Sequence, residues 1–134
     1  MLDFVIKGAT VIDGTGSKGE VKDVGVFGDR IVEMGPNIET EAADFLKSEG
    51  LVLSPGLIDV HSHDDFHVLV EPEVHHNVLQ GITTVVVGNC GFGAAASDAG
   101  KIQMKAINEP SSDLPDWDGY AGYLDEVDKT APVL

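Results

Sequence analysis

The sequence predicts an α/β protein in which a layer of short β strands precedes a strand–helix–strand unit of the parallel kind. Two observations predict this class. Up to residue 53, runs of β-forming residues alternate with turn residues. Between residues 54 and 88, a short apolar run, a helical stretch and a β-branched run follow one another, which is the order and spacing of a βαβ unit.

The β layer is predicted from its apolar runs and the turns between them. The runs cover residues 4–6, 11–12, 24–27 and 30–34, with a further short strand at 51–53. Gly28-Asp29 separates two of these runs, and because glycine readily adopts the positive φ of a tight turn, the pair predicts a hairpin. We therefore expect a small antiparallel layer without a cluster of catalytic residues.

The second part is predicted from the order of its elements. Residues 57–60 form an apolar run, Pro72 suits the first turn of a helix over residues 72–80, and Gly81 suits the position just after it. The β-branched run at 82–87 is typical of a strand buried on both faces, as parallel strands are.

A later amphipathic helix is expected over residues 118–128. Apolar side chains recur there at helical spacing and predict a face that packs against the core. They are Trp117, Tyr120, Ala121, Leu124 and Val127. Residues 131–134 then resemble the beginning of another strand.

The charge of the chain argues against two classes of partner. Its 134 residues include 8 Lys and Arg against 23 Asp and Glu, for a formal net charge of −15. Nucleic acids and anionic membranes require clustered cations, so neither is an expected partner. No Lys or Arg lies between Lys47 and Lys101, and this acidic stretch favours a metal cation over a phosphate-rich ligand.

The single cysteine and the N-terminus indicate a cellular location. Cys90 has no partner for an intrachain disulfide, which fits a reducing compartment. The N-terminal residues lack a basic region followed by an apolar run, and no stretch reaches the roughly 18 apolar residues of a membrane span. We therefore expect a cytoplasmic chain.

Three residues at the ends of the two predicted parallel strands are candidate metal ligands. His61 and His63 are two positions apart, so their side chains point to the same side of an extended chain. Cys90 follows the next strand, and parallel strands end at one common edge. Imidazole nitrogen and thiolate sulfur are good zinc ligands, so the spacing predicts that His61, His63 and Cys90 are metal ligands, on one ion or on two.

Each of these residues also has a structural interpretation. The histidines would then cap the strand end or bond neighbouring carboxylates, and Cys90 would be a small buried apolar residue or a reactive thiol beside a histidine. Asp59 is either a partner that orients an imidazole or an ordinary strand carboxylate. Asp65 is expected to be a solvated loop charge. Surface positions are expected for the remaining histidines, His67, His75 and His76.

These residues together resemble the amidohydrolase superfamily. The similar segments are residues 4–16, FVIKGATVIDGTG, and residues 55–63, PGLIDVHSH. A sharper similarity, to the N-acyl-D-amino-acid deacylase (D-aminoacylase) branch, lies in Asp64-Asp65 and in residues 80–91, QGITTVVVGNCG. The resemblance implies that residues 1–54 are the N-terminal strands of a composite β-sandwich. It also implies that residues 55–134 are the first two βα units of an incomplete (β/α)₈ TIM barrel.

The resemblance also implies a chemistry. Cys90 corresponds to a zinc ligand of that branch, and His61 and His63 form the other metal position. Zinc would activate a water molecule and polarise an amide carbonyl, and the products would be a carboxylate and a D-amino acid. The general-base aspartate is expected downstream of this chain.

A complete barrel of this type takes about 250 residues, so we expect this chain to be an N-terminal portion that is inactive alone. Two alternatives stay open. One is a metal-binding or interaction module that completes a barrel with a separate chain, and exposed barrel edges would also allow self-association. The other is a fragment of a cyclic amidohydrolase of the hydantoinase or dihydroorotase type.

Overall fold

A computed structural model of the chain describes residues 1–94, 98–99, 102 and 114–133. The chain divides into two compact units, Met1–Pro55 and Gly56–Leu134. None of the described helices is long and apolar enough to cross a membrane.

The first unit is a five-stranded mixed sheet. Its strands are β1 (Leu2–Val11), β2 (Glu20–Phe27), β3 (Arg30–Gly35), β4 (Ala42–Lys47) and β5 (Val52–Leu53). The order is β3-β2-β1-β4, and β5 also pairs with β1. The hairpin at Gly28-Asp29 is confirmed, because β2 and β3 are antiparallel, as are β1 and β2.

The expectation of a purely antiparallel layer is wrong, since β4 and β5 both run parallel to β1. β4 was not predicted from the sequence. Five of its six residues are exposed, so its backbone hydrogen bonds to β1 hold it rather than a buried apolar face. An apolar periodicity therefore could not reveal it.

The strand β1 joins two runs that the sequence suggested were separate. A register shift between Ile6 and Ala9 accommodates Gly8, whose φ is +74°. The Gly8 N–H donates to Asp23 Oδ1 at 2.9 Å, and the Ile38 N–H donates to Asp23 Oδ2 at 3.0 Å. The buried Asp23 carboxylate thus joins the bulge to the segment after β3.

The second unit contains the predicted strand–helix–strand order. β6 (Leu57–Asp59) and β7 (Ile82–Val85) pair in parallel. Two short helices, α1 (His67–Val70) and α2 (His75–Val78), lie between them in sequence, and α3 (Gly119–Thr130) follows later. The helix expected over residues 72–80 is therefore shorter than predicted, and α1 was missed.

An apolar cluster holds the second unit together. Its buried members are Phe66, Ala94, Trp117 and Tyr123. The amphipathic interpretation is confirmed for Trp117, which belongs to the cluster, and for Val127, which packs against it, whereas the buried Tyr123 was not part of the predicted stripe. Tyr120, Ala121 and Leu124 are exposed, so the predicted apolar stripe is only partly covered. Residues 131–133 do not form the expected strand, and Leu134 lies outside the described residues.

Candidate metal centre

The candidate ligands follow the carboxyl ends of the two parallel strands. His61 and His63 come just after β6, and Cys90 lies in a short 3₁₀ turn, Asn89–Gly91, after β7. One donor atom from each of the three side chains lies within 4.8 Å of those of the other two. His61 Nε2 is 3.2 Å from Cys90 Sγ. The structure thus brings the three predicted residues together, while their role as ligands stays a prediction.

The turn that carries Cys90 has an unusual backbone. Cys90 itself has a φ of +59°, between Gly88 at +81° and Gly91 at +77°. A residue with a side chain rarely adopts this left-handed conformation, and the cost is about 1–3 kcal/mol. Cys90 is exposed. The interpretation of Cys90 as a small buried apolar residue is therefore wrong.

Asn89 connects this turn to residues 61–63, which we call the histidine loop. Its Nδ2 donates to the backbone oxygen of Val86 at 2.7 Å and to that of Ser62 at 3.2 Å. Sequence reasoning did not select Asn89, although a polar residue beside a cysteine between glycines is a usable signal for such a turn. The side chain thus links the residue between the two histidines to the turn that holds the thiol.

The histidine loop is fixed by contacts on both sides. The His61 N–H donates to Asp59 Oδ1 at 3.0 Å, so this carboxylate oxygen orients the backbone of His61. The His61 and His63 rings meet edge to face with centroids 5.5 Å apart. The Phe92 ring lies against His63 at 5.8 Å. His63 is half-buried and His61 is exposed, so this edge of the unit is accessible to a cation.

The Asp64 side chain connects the histidine loop to α2 through hydrogen bonds. Its Oδ2 accepts the Ser62 hydroxyl at 2.6 Å and the Asn77 amide at 2.8 Å, and His76 Nε2 lies 3.3 Å from its Oδ1. Burial raises the pKa of Asp64, but these three hydrogen bonds together outweigh it and hold the pKa below its ordinary value. Asp64 is therefore a charged anchor between the loop and α2.

Asp65 is buried, so the expectation that it is a solvated loop charge is wrong. The residue is 2% exposed. Its Oδ1 accepts the Ala94 N–H at 3.3 Å, and its backbone oxygen accepts the Tyr123 hydroxyl at 2.9 Å. Burial raises the pKa of Tyr123 to about 12, and the nearby Asp65 charge adds to this, so the hydroxyl stays a donor. Local sequence could not show this burial, because both partners of Asp65 are distant in the chain.

The other histidines lie outside the three-residue group. His67 Nε2 contacts Glu71 at 3.1 Å, and His75 contacts the same carboxylate at 3.5 Å. His76 pairs with Asp64. His75 and His76 are exposed, which agrees with their predicted surface positions, whereas His67 is only half-buried.

Known proteins are similar to this chain over most of its length. It is 47% identical to the N-acyl-D-aspartate deacylase of Alcaligenes xylosoxydans xylosoxydans over 69% of the chain and 19% of that protein. It is 37% identical to the D-aminoacylase of the same organism over 98% of the chain and 27% of that protein. No family model matches the chain.

A solved structure extends this similarity to the fold. The N-acyl-D-glutamate deacylase of Bordetella bronchiseptica, solved with zinc and a phosphonate inhibitor, superposes with a TM-score of 0.83. The superposition covers 98% of this chain and 27% of that one, at 35% identity. The predicted fold class is thereby confirmed as α/β, with N-terminal strands of a small β-sandwich followed by the first βα units of a barrel. The chain spans about a fifth to a quarter of the length of the relatives it matches.

Proposed function

Because the chain belongs to the amidohydrolase superfamily, we propose that it is part of a zinc-dependent enzyme that hydrolyses N-acyl-D-amino acids to a carboxylate and a D-amino acid. In this proposal His61, His63 and Cys90 hold the metal. The observation that carries it is the convergence of two imidazoles and a thiol, from two strand ends, within 4.8 Å.

The donor set fits zinc. Zn²⁺ binds imidazole nitrogen at about 2.0–2.1 Å and thiolate sulfur at about 2.3 Å, which places two such donors on one tetrahedral ion about 3.5 Å apart. The observed separation of His61 Nε2 and Cys90 Sγ is 3.2 Å. The acidic character of the chain also favours a cation.

The chain's own residues would prepare this site for amide hydrolysis. A bound zinc ion supplies a Lewis acid for the amide carbonyl and lowers the pKa of a water molecule. Asp59 fixes the His61 backbone, and Asn89 holds the Cys90 turn against the histidine loop. The Cys90 thiol must lose its proton to bind metal, so metal binding is expected to weaken as the pH falls.

The relatives favour the linear-amide class of substrate. The three named above are deacylases or aminoacylases, and by resemblance Cys90 corresponds to a zinc ligand of the D-aminoacylase branch. A separate chain that completes the barrel stays a prediction, as does the cytoplasmic location inferred from the single cysteine.

Calorimetric titration of the metal-free 134-residue chain with Zn²⁺ tests the proposed site. We expect His61→Ala and Cys90→Ser to weaken zinc binding by more than about 100-fold, because substitutions of residues that only hydrogen-bond to metal ligands already lower metal affinity by about 10–100-fold. The matched control is His75→Ala, because His75 is an exposed histidine outside the group.

Two results would contradict the proposal. Zinc affinity of Cys90→Ser equal to that of the unchanged chain would exclude the thiol as a ligand. An equal loss in His75→Ala would show that zinc binds surface histidines rather than this centre.

A further inference from the structure

Four buried residues near the candidate metal centre are joined to one another by hydrogen bonds and ring packing. Asp65 Oδ1 accepts the Ala94 N–H, the Ala94 oxygen accepts the Trp117 indole N–H at 2.7 Å, and the Asp65 backbone oxygen accepts the Tyr123 hydroxyl. The Trp117 and Tyr123 rings pack with centroids 5.8 Å apart. None of the four is more than 7% exposed. We call these four residues the Asp65 cluster.

Two members of the cluster follow the candidate metal ligands closely in the sequence. Asp65 is two residues after His63, and Ala94 is four residues after Cys90. Between Cys90 and Ala94, the Phe92 ring contacts His63 and packs against the apolar part of the cluster. The hydrogen bond from the Ala94 N–H to Asp65 therefore connects the segment after the Cys90 turn to the segment after His63.

We propose that Asp65 is a positioning residue, which sets the distance between the Cys90 thiol and the His61 and His63 rings. This inference rests on the proposed metal site. Asp65 Oδ1 is engaged by Ala94 and the carboxylate is buried, so it acts through the loop rather than on the metal or substrate.

The cost of keeping a carboxylate here supports this role. Within the part of the chain that the structure describes, Asp65 Oδ2 has no hydrogen-bond partner. A buried polar atom without a partner costs about 1–3 kcal/mol, and the neighbouring Phe66 and Trp117 would favour an apolar residue. Asp65 also lines a cavity of about 290 Å³ with Gly88 and Gly91, the two glycines that flank the cysteine turn. A carboxylate that destabilises the core is thus placed where it can restrain that turn.

The left-handed backbone of Cys90 explains why a restraint is needed. Cys90 holds a conformation that a free loop would leave. Asn89 restrains the turn at its start, and Asp65, through Ala94, restrains it at its end. With one of these two contacts removed, the thiol is free to move away from the imidazoles.

The test compares two substitutions of Asp65 in the 134-residue chain. Asp65→Asn keeps an oxygen that can accept the Ala94 N–H, whereas Asp65→Leu removes it but fills the apolar surroundings. In the metal-free chain, the nuclear Overhauser effect between the Cys90 β-protons and the His61 ring protons reports their distance. We expect it to persist in Asp65→Asn and to disappear in Asp65→Leu.

The same variants are then titrated with Co²⁺, and the sulfur-to-cobalt charge-transfer band reports the thiol in the coordination shell. We expect Asp65→Leu to bind about 10–100-fold more weakly, with a reduced band, at a temperature at which thermal unfolding shows that the variant is folded. Asp65→Asn should bind nearly as well as the unchanged chain. Tyr123→Phe, which removes one contact of the cluster, should give a smaller loss.

The outcomes separate this inference from the proposed function. An Overhauser effect that persists in Asp65→Leu would overturn the positioning role, and so would a loss that follows unfolding in all three variants. An unchanged chain that shows the Overhauser effect but binds no cobalt would overturn the metal site. In that case loss of the effect in Asp65→Leu still supports the role of Asp65.

Discussion

The Asn89 side chain joins the segments that follow β6 and β7, and its removal tests how these segments are held together. We predict that Asn89→Ala weakens zinc binding by about 10–100-fold, because the amide no longer bridges the Ser62 and Val86 oxygens. The loss of these bonds should also cost about 1–2 kcal/mol in the free energy of unfolding. Zinc titration and urea unfolding measure the two effects.

Asn37→Ala is the matched control, since Asn37 is an exposed asparagine in the other unit. We expect it to leave zinc affinity unchanged. Equal affinities of Asn89→Ala and the unchanged chain would show that the turn is held without the Asn89 amide.

Single residues differ in how far the sequence predicts them. His61, His63 and Cys90 were selected because alternation along a strand and the common edge of parallel strands are local rules. Asp65 and Asn89 are harder to predict, because Ala94 and Tyr123, which contact Asp65, and Ser62, which contacts Asn89, lie 27 or more positions away. A solvated and a buried aspartate look the same in the sequence, and only the packing of α3 distinguishes them.

At the level of the secondary-structure elements, Asp23 couples the β1 bulge to the segment after β3, and this coupling depends on pH. The hydrogen bond from the Ile38 N–H is the largest cause that lowers the pKa of Asp23 below its ordinary value of 3.8, and Gly8 and Lys7 add to it. Because folding lowers this pKa, the charged carboxylate stabilises the sheet above pH 3.8, and the contribution is lost as the pH falls through the lowered pKa.

We therefore predict that Asp23→Asn lowers the free energy of unfolding by about 1–3 kcal/mol at pH 7 and by less as the pH falls below 3.8. Urea unfolding at a series of pH values measures this difference. The control is Asp29→Asn, because Asp29 has an 87% exposed side chain in the β2–β3 turn. A difference between Asp23→Asn and the unchanged chain that does not vary with pH would contradict the assignment.

The sequence predicted the elements that have a clear apolar run or a turn glycine. The expectation that the strand at residues 82–87 is buried on both faces is wrong, because the residues of β6 and β7 are half-buried or exposed. β6 and β7 were recognised from apolar runs, and the β2–β3 hairpin from its glycine. β4 is exposed and β1 contains a bulge, so neither shows a clean alternation. The short helices α1 and α2 end after four residues each, which is below the length at which helical periodicity is visible.

At the scale of the whole molecule, the first unit presents an open apolar face. A cavity of about 300 Å³ is lined mainly by apolar side chains, among them Val24, Ile31 and Met34. Ile31 is 64% exposed. Because apolar surface of this kind favours association, we predict that the 134-residue chain self-associates, and more strongly as salt screens its net charge of −15.

Sedimentation velocity at increasing protein and salt concentrations measures this association. Ile31→Lys should reduce it, because the added charge falls on the cavity face. Val32→Lys is the matched control, since Val32 is the next residue of β3, is also exposed and does not line the cavity. Equal effects of the two substitutions would show that charge alone, rather than this face, controls association.

The catalytic capacity of the 134-residue chain depends on groups beyond the three candidate ligands. A catalytic zinc site combines three protein ligands and an open position, and amide hydrolysis also needs a group that accepts and returns a proton. Around the centre, Asp59 is bound to the His61 backbone, both oxygens of Asp64 are engaged, and Asp65 is buried. Asp64 and Asp65 are therefore not placed as free bases, and one of the two Asp59 oxygens is occupied by the His61 backbone.

We therefore predict that the zinc-loaded 134-residue chain binds metal but does not hydrolyse N-acetyl-D-glutamate or N-acetyl-D-aspartate. Release of the D-amino acid, followed by chiral chromatography, should equal that of the Cys90→Ser variant purified in the same way. This variant removes a proposed ligand and so measures contaminating activity. Turnover that is present in the unchanged chain and absent from Cys90→Ser would show that the 134-residue chain includes a working base, and Asp59→Asn would then be the first substitution to examine.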